Sequence, residues 1–273
     1  MSRLLHLLDV RAGGPQVWIG PPSGPDGKRT YGGHLAGQAL AAALRTVDAQ
    51  MPPTAMHVQF LRAGAADAPI DYRVESVHDG RTTAARRVSA AQGERLLATA
   101  TVSCAAALPG PEHGSADAPL PDPEDLPRTG PTAPAPSMPL EEIDIRIADT
   151  GAGEGFTRRL WWRATAPLPA DAAVHACVAV YVTDVYMLDP ALQVHGIALR
   201  DRTHRTSTTG TSVWFHRPVR ADRWTLLEST SPAAARGRGV VTAGLLDSTG
   251  VRVATVVQEG LVTPREKPTT ERT

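Results

Sequence analysis

This chain of 273 residues has little of what redox or metal chemistry needs: it holds two cysteines, Cys104 and Cys177, far apart and outside any CxxC pair. That spacing excludes a disulfide framework and argues against a structural zinc site. The nine histidines include no HExxH or HxH set, so neither a metal nor a cofactor is expected. Aromatic residues make up only 4% of the chain, which leaves Ala, Val and Leu to fill most of the core. Long apolar runs are also missing. The best, Ala176–Val182, is far shorter than the roughly 18–20 residues of a membrane helix and reads as a buried strand or helix segment. Lysine is almost absent, with Lys28 and Lys267 alone among 28 cations, and no charge of either sign prevails, because 28 acidic residues balance them. A nucleic-acid partner, which usually needs a basic face, is therefore not expected. The N-terminal "MSRLLHLLDVRAGG" is broken by His6 and Asp9 and reads as an amphipathic helix rather than a signal peptide. The terminal Glu271-Arg272-Thr273 is not an SKL-type address. The expectation is a cytoplasmic protein with reduced thiols and no membrane insertion.

Proline is abundant and clustered. Ten of the 24 prolines lie between Pro109 and Pro139, a stretch that cannot sustain helix or ladder hydrogen bonds and reads as a linker. The expected organisation is an N-terminal unit over 1–107, a linker over 108–145, a C-terminal unit over 146–265 and a tail over 266–273. The two units resemble each other. Phe60 and Arg62 of "HVQFLRAG" match Phe215 and Arg217 of "SVWFHRP", each at an offset of 155. Glu75-Ser76 matches Glu228-Ser229 at 153, Ala85-Arg86 matches Ala235-Arg236 at 150, and Ala98-Thr99 matches Ala254-Thr255 at 156. An internal duplication is the economical account.

Each unit has the same order of elements. "GGHLAGQALAAALRTV" (32–47) favours a helix, and segments rich in Val and Thr follow, broken by turns such as "HDG" (78–80) and "DSTG" (247–250). One helix followed by an antiparallel sheet is an α+β unit. The second unit is expected to draw its helix from about Tyr181–Leu192, where Pro190 must end or bend it.

No GxSxG elbow or GxxxxGK[ST] loop occurs, and "GAGEG" (151–155) lacks GxGxxG spacing. Chemistry, if any, would therefore use neither a metal nor a covalent nucleophile. Asp184, in "YVTDVYMLDPALQVHG", sits among apolar residues near the start of the expected second helix. It is either an N-cap or a desolvated carboxylate with a raised pKa, able to deprotonate water. Thr208 precedes a strand in "RTSTTGTSVWFH", where it is either a solvated β-former or a polar partner. Gln258 interrupts the apolar "ATVVQEGLV", and a polar side chain on a core-facing strand needs a partner. The three can converge on one water for attack on an activated acyl group such as a thioester, with helix N–H groups receiving the oxyanion. In the first unit His34 and Gln38 lie four residues apart on one helical face, and Gly32 and Gly33 permit close backbone approach. His34 reads either as a base, as in a hydratase, or as a satisfied interface residue.

Together "YGGHLAGQAL", "FLRAG", "DGRTTAARRV", "ALQVHG", "WFHRP", "ESTSPAAARG" and "VQEG" resemble the acyl-CoA thioesterase II family, over most of the chain outside the linker and the last dozen residues. The resemblance implies an α+β double hotdog, two tandem units each with a long helix wrapped by a curved antiparallel sheet. It implies hydrolysis of an acyl-CoA substrate through an Asp/Thr/Gln set, which falls on Asp184, Thr208 and Gln258, with only the second unit supplying the acid. It also implies a homo-oligomer. One departure stands out: Gly210 and Thr211 replace the Asp-His pair common in the family, which leaves Thr209 and Thr206 as alternatives to Thr208. A hotdog hydratase using His34 and a non-catalytic acyl-thioester binder are the rival readings.

Overall fold

The structure, a computed structural model, describes residues 2–114, 121–129 and 140–265. The expected tail, 266–273, lies outside the described residues. A short helix, α1 (Arg3–Leu8), opens the chain, capped by Ser2, and the hairpin β1 (Arg11–Gly14) and β2 (Val17–Gly20) follows. Helix α2 (Gly32–Leu44) precedes β3 (Pro53–Phe60), β4 (Ile70–Asp79), β5 (Thr83–Gln92) and β6 (Arg95–Ala105). The second half repeats the plan. Strands β7 (Ile143–Ile147) and β8 (Arg158–Ala164) lead into α3 (Ala172–Thr183) and the short α4 (Asp189–Gln193). Then come β9 (His204–Phe215), β10 (Thr225–Ala235), β11 (Arg238–Asp247) and β12 (Arg252–Pro264).

All twelve strands join one antiparallel sheet in the order β1-β2-β4-β5-β6-β3-β9-β12-β11-β10-β8-β7. The order is the same read from either edge once each strand is exchanged for its counterpart in the other half, so β3 and β9 meet at the centre. The register agrees with a duplication. Phe60 faces Ala98 on β6, and Phe215 faces Ala254 on β12. Beyond each aromatic residue two successive N–H groups, of Leu61 and Arg62 or of His216 and Arg217, share one carbonyl, Leu97 or Val253. The Ala85-Arg86 match does not hold in space. Arg86 lies within β5, whereas Arg236 occupies the β10–β11 turn with φ +53.

Helix α2 is buried nearly all round, from Gly33 to Leu40 and again at Ala42 and Ala43, because strands β3 to β6 cover one side and α3 the other. The two helices pack antiparallel: Gly33 lies against Tyr181 and Gly37 against Cys177. Each half is thus a helix backed by six antiparallel strands, the α+β double-hotdog architecture.

The second helix differs from expectation. It runs over Ala172–Thr183, not Tyr181–Leu192, because Asp171 caps it by accepting from Ala173 N–H at 2.9 Å. Val174, Val178, Val180 and Val182 are poor helix formers, yet enclosure between sheet and α2 outweighs propensity, and the apolar run Ala176–Val182 is helical. Tyr186 turns left-handed at φ +53, and Pro190 then sits in the first turn of α4 instead of ending a helix.

The stretch 108–145, expected as linker, contacts the second half where it is described. Glu124 accepts from Trp224 Nε1 at 2.9 Å, and Leu126 packs on the cluster of Trp161, Leu226 and Leu246. Glu142 accepts from Ser2 Oγ and from the N–H groups of Arg3 and Leu4, binding α1 to the start of the second half. Strand β7 begins at Ile143, inside that stretch. Among the described residues no helix is long and apolar enough to cross a membrane.

Candidate active site

Asp184 is the C-cap of α3, not an N-cap at the head of a helix. Because α2 and α3 run antiparallel, that end of α3 meets the beginning of α2, and Gly33 N–H donates to Asp184 Oδ2 at 3.0 Å. The helix N-terminus facing the carboxylate therefore belongs to the first half. Glycine is required there for room. A Cβ on Gly33 would run into the Tyr181 carbonyl and the Tyr31 ring, and one on Gly32 would lie 2.6 Å from Asp184 Oδ2. Tyr31, which precedes α2, ties the two helices by donating to the Tyr181 carbonyl at 2.9 Å while its ring meets Tyr181 edge-on.

The sheet supplies the other two groups. Gln258 on β12 is 1% exposed and points inward, and its Nε2 donates to Asp184 Oδ1 at 2.8 Å and to Thr208 Oγ1 at 2.6 Å. Thr208 Oγ1 in turn donates to Asp184 Oδ1 at 3.0 Å. Three polar atoms from one helix end and two adjacent strands thus form a closed triangle.

A β-bulge makes this possible. Gly260 pairs with Thr208 and Glu259 with Gly210, so Thr209 is an extra residue on β9. Both Thr208 and Thr211 consequently face inward, while Thr209 turns to the outer face and donates to Glu259 Oε2 at 2.7 Å. Thr206 is exposed, opposite Val262. Of the three candidate threonines, Thr208 alone reaches Asp184 among the described residues. Gly210 and Thr211 lie just past the bulge, paired with Glu259 and Gln258. A Cβ on Gly210 would meet only the Val58 carbonyl and Gln59 Oε1, at 3.6 and 3.7 Å.

The electrostatics favour a proton acceptor near neutrality. Burial pushes the Asp184 carboxyl up from its ordinary 3.8 to about 6, against the opposing pull of hydrogen bonds from Gln258, Thr208 and Gly33. Two helix ends act on it in opposite senses: the C-terminus of α3 disfavours its charge and the N-terminus of α2 favours it. Tyr31 remains a neutral phenol, its pKa raised well above 10 by burial and by the Asp184 charge.

His34 and Gln38 do not join this group. Gln38 Nε2 donates to the carbonyls of Leu7 and Pro21, at 2.6 and 3.1 Å, and its Oε1 accepts from Tyr72. His34 Nε2 lies 3.3 Å from the same Pro21 carbonyl, and burial lowers its pKa to about 4. Both side chains hold the segment before α2 in place. Among the described residues no cluster of His, Cys, Asp and Glu could hold a metal.

The tie made by Tyr31 and a buried ion-pair group behind the site are not marked by any pattern singled out in the sequence. Arg158 on β8 grips Asp149 at 2.9 and 2.7 Å and pairs with Asp189 at 2.6 Å, anchoring the start of α4 just beyond Asp184. The Asp-Pro step at 189–190 was the one local signal of such an anchored helix start.

The chain matches two family models in tandem. The acyl-CoA thioesterase N-terminal domain covers residues 20–105 and the acyl-CoA thioesterase C-terminal domain covers residues 115–262. It is 31% identical to acyl-coenzyme A thioesterase 8 of Homo sapiens over 88% of this chain and 82% of that protein. It is also similar to the crystal structure of the acyl-CoA thioesterase II TesB2 from Mycobacterium marinum, with a TM-score of 0.84 and 31% identity, covering 96% of this chain and 99% of that one. A hot dog fold protein of Alicyclobacillus acidocaldarius, 20% identical, shares the fold with a TM-score of 0.77 over 97% of this chain and 100% of its own.

Proposed function

The chain belongs to the acyl-CoA thioesterase II family, and on that premise we propose that it hydrolyses acyl-CoA with a water activated by Asp184, Thr208 and Gln258. The observation that carries the residue assignment is the closed triangle of Asp184, Thr208 and Gln258, built on a carboxylate whose pKa burial has raised to about 6. Such a group is mostly ionised at neutral pH, yet basic enough to take a proton. A thioester is a suitable electrophile, because its carbonyl has weak resonance protection and its thiolate leaves readily.

In this reading a water beside the triangle gives one proton to Asp184 as its oxygen bonds to the thioester carbonyl carbon. The positive end of α2 stabilises the resulting oxyanion. The tetrahedral centre then collapses, the C–S bond breaks, and the departing CoA sulfur takes the proton back from Asp184. The products are a free fatty acid and CoA, and Asp184 returns to its carboxylate. Thr208 and Gln258 hold Oδ1 in one orientation throughout, which limits reorganisation during the step.

The test is release of free thiol from a panel of acyl-CoAs by the wild type and by Asp184→Asn. Hydrolysis by the wild type that collapses in the variant supports the assignment, and equal rates in the two proteins overturn it. The same reading takes a homo-oligomer from the family resemblance alone, since exposed Trp214 and Leu261 stand at opposite ends of the β9–β12 pair and form no single patch. Light scattering that returns a monomer mass would refute it.

A further inference from the structure

Two buried polar atoms beside the triangle have no hydrogen-bond partner among the described residues: Gln258 Oε1 and Thr211 Oγ1. Their residues are 1% and 5% exposed, so bulk solvent does not explain them. They are also direct cross-strand neighbours, since Gln258 on β12 pairs with Thr211 on β9. Opposed residues of an antiparallel pair share a face of the sheet, with Cβ atoms about 4.5–5.5 Å apart. One of these atoms can only accept and the other can donate.

We propose that Thr211 is a positioning residue whose hydroxyl holds the Gln258 side-chain carbonyl and so keeps Nε2 turned toward Asp184 and Thr208. Contact is made by rotation of the threonine side chain or through one shared water. The need for such an anchor follows from the reaction. While Asp184 is ionised, its charge alone rejects an amide turned with Oε1 forward. Once Asp184 has taken the proton from water, it can donate to Oε1 as readily as it accepts from Nε2, and that discrimination is lost. Thr211, directly opposite Gln258 on β9, would tie down Oε1 and so restrain the amide from swinging away from Asp184 and Thr208.

This inference rests on the proposed roles of Asp184 and Gln258. The titratable side chain across from Asp184 is Tyr31, at the head of α2, and it stays protonated. The Asp184 shift itself comes from burial and three hydrogen bonds, with no contribution from a charged side chain. Weakening the Gln258 hydrogen bond therefore moves the acid limb of the rate profile to higher pH.

The experiment measures kcat, KM, the pH–rate profile and Tm for Thr211→Val and Thr211→Ser, each in the wild-type and Gln258→Ala backgrounds. Thr211→Ala accompanies them as a variant that cannot overfill the site. Loss of one hydrogen-bonded anchor predicts a fall in kcat of about fivefold for Thr211→Val and Thr211→Ala. KM should change little, the acid limb should move upward, and Thr211→Ser should restore both. In the Gln258→Ala background Thr211→Val should have no further effect. An unpartnered hydroxyl that serves packing alone would give the opposite pattern: Thr211→Val raises Tm and leaves kcat and the acid limb unchanged. That result overturns the inference, as does a full Thr211→Val effect persisting without Gln258. Wild-type hydrolysis by Gln258→Ala would overturn the trio and the role of Thr211 together. An impaired Gln258→Ala beside an unaltered Thr211→Val overturns the Thr211 role alone.

Discussion

Replacing Asp184 with Asn should abolish hydrolysis and make the folded protein more stable. The side chain has a pKa of about 6 when folded, against 3.8 for the ordinary group. The folded state therefore binds the proton more tightly than the unfolded state, and the ionised form costs the fold free energy. That cost is fully present above about pH 6, shrinks as pH falls toward 3.8, and is absent below it. At pH 7.5 a shift of this size corresponds to about 3 kcal/mol. Asparagine removes the charge but presents at most one carbonyl oxygen, so either the Gly33 N–H or the Thr208 and Gln258 donors lose an acceptor, a loss of about 1–2 kcal/mol. The net gain is then about 1–2 kcal/mol, or about 2–6 °C in Tm for a chain of this length. Thermal melts of both proteins at pH 7.5 and at pH 4 test this. The difference should be present at the higher pH and fade at the lower. A variant that melts no higher than the wild type at pH 7.5, or a gain equally large at pH 4, would refute the view that Asp184 is held charged at a cost to stability.

The acid limb of kcat/KM in the wild type should fall about tenfold per pH unit below about pH 6, because the base must be ionised in the free enzyme. A limb centred near pH 4 would contradict the burial of Asp184. Thr208→Val should lower kcat about 10–100-fold by removing a hydrogen bond to a charged group. Thr209→Val, whose hydroxyl serves the outer face, should leave hydrolysis unchanged, and the reverse pattern would place the bulge elsewhere. Gly33→Ala drives a methyl group into the Tyr181 carbonyl and the Tyr31 ring and should cost about 1–3 kcal/mol along with activity. Gly32→Ala meets Asp184 Oδ2 instead, so thiol-release assays should show lost turnover while melts show little loss of stability.

The repeat and the site residues were legible in the sequence for different reasons. Aromatic-x-Arg recurs at an offset of 155 because Phe60 and Phe215 end equivalent central strands and the next two N–H groups close on one carbonyl in each half. The Ala85-Arg86 match has no such basis: Arg86 is buried on β5, where it bonds to Asp79 and to Thr46, whereas Arg236 stands in a turn, so the two share composition and not a structural role. Gln258 could be noticed as a polar break in an apolar strand, which marks a side chain that must find a partner inside. The helix before Asp184 was displaced for a physical reason. Pro190 reads as a C-terminal stop, whereas Asp171 caps an earlier helix and Pro190 lies in the first turn of the next. Asp184 consequently lies at the tail of one helix rather than the head of another. The amide facing it, Gly33, comes from 151 residues earlier in the chain, and no local pattern reports contact across that distance. The bulge at Thr209 was equally silent, since alternation cannot say which of several consecutive threonines a strand leaves unpaired.

The central claim is that water, activated by Asp184, attacks the thioester directly. A single turnover of excess enzyme on acyl-CoA in ¹⁸O-labelled water, followed by mass spectrometry of product and protein, tests it most directly. Direct attack predicts one ¹⁸O in the fatty acid from the first turnover and none in the protein. An unlabelled first-turnover acid with ¹⁸O retained on the peptide containing Asp184 would show the carboxylate to be the nucleophile, and would contradict the account.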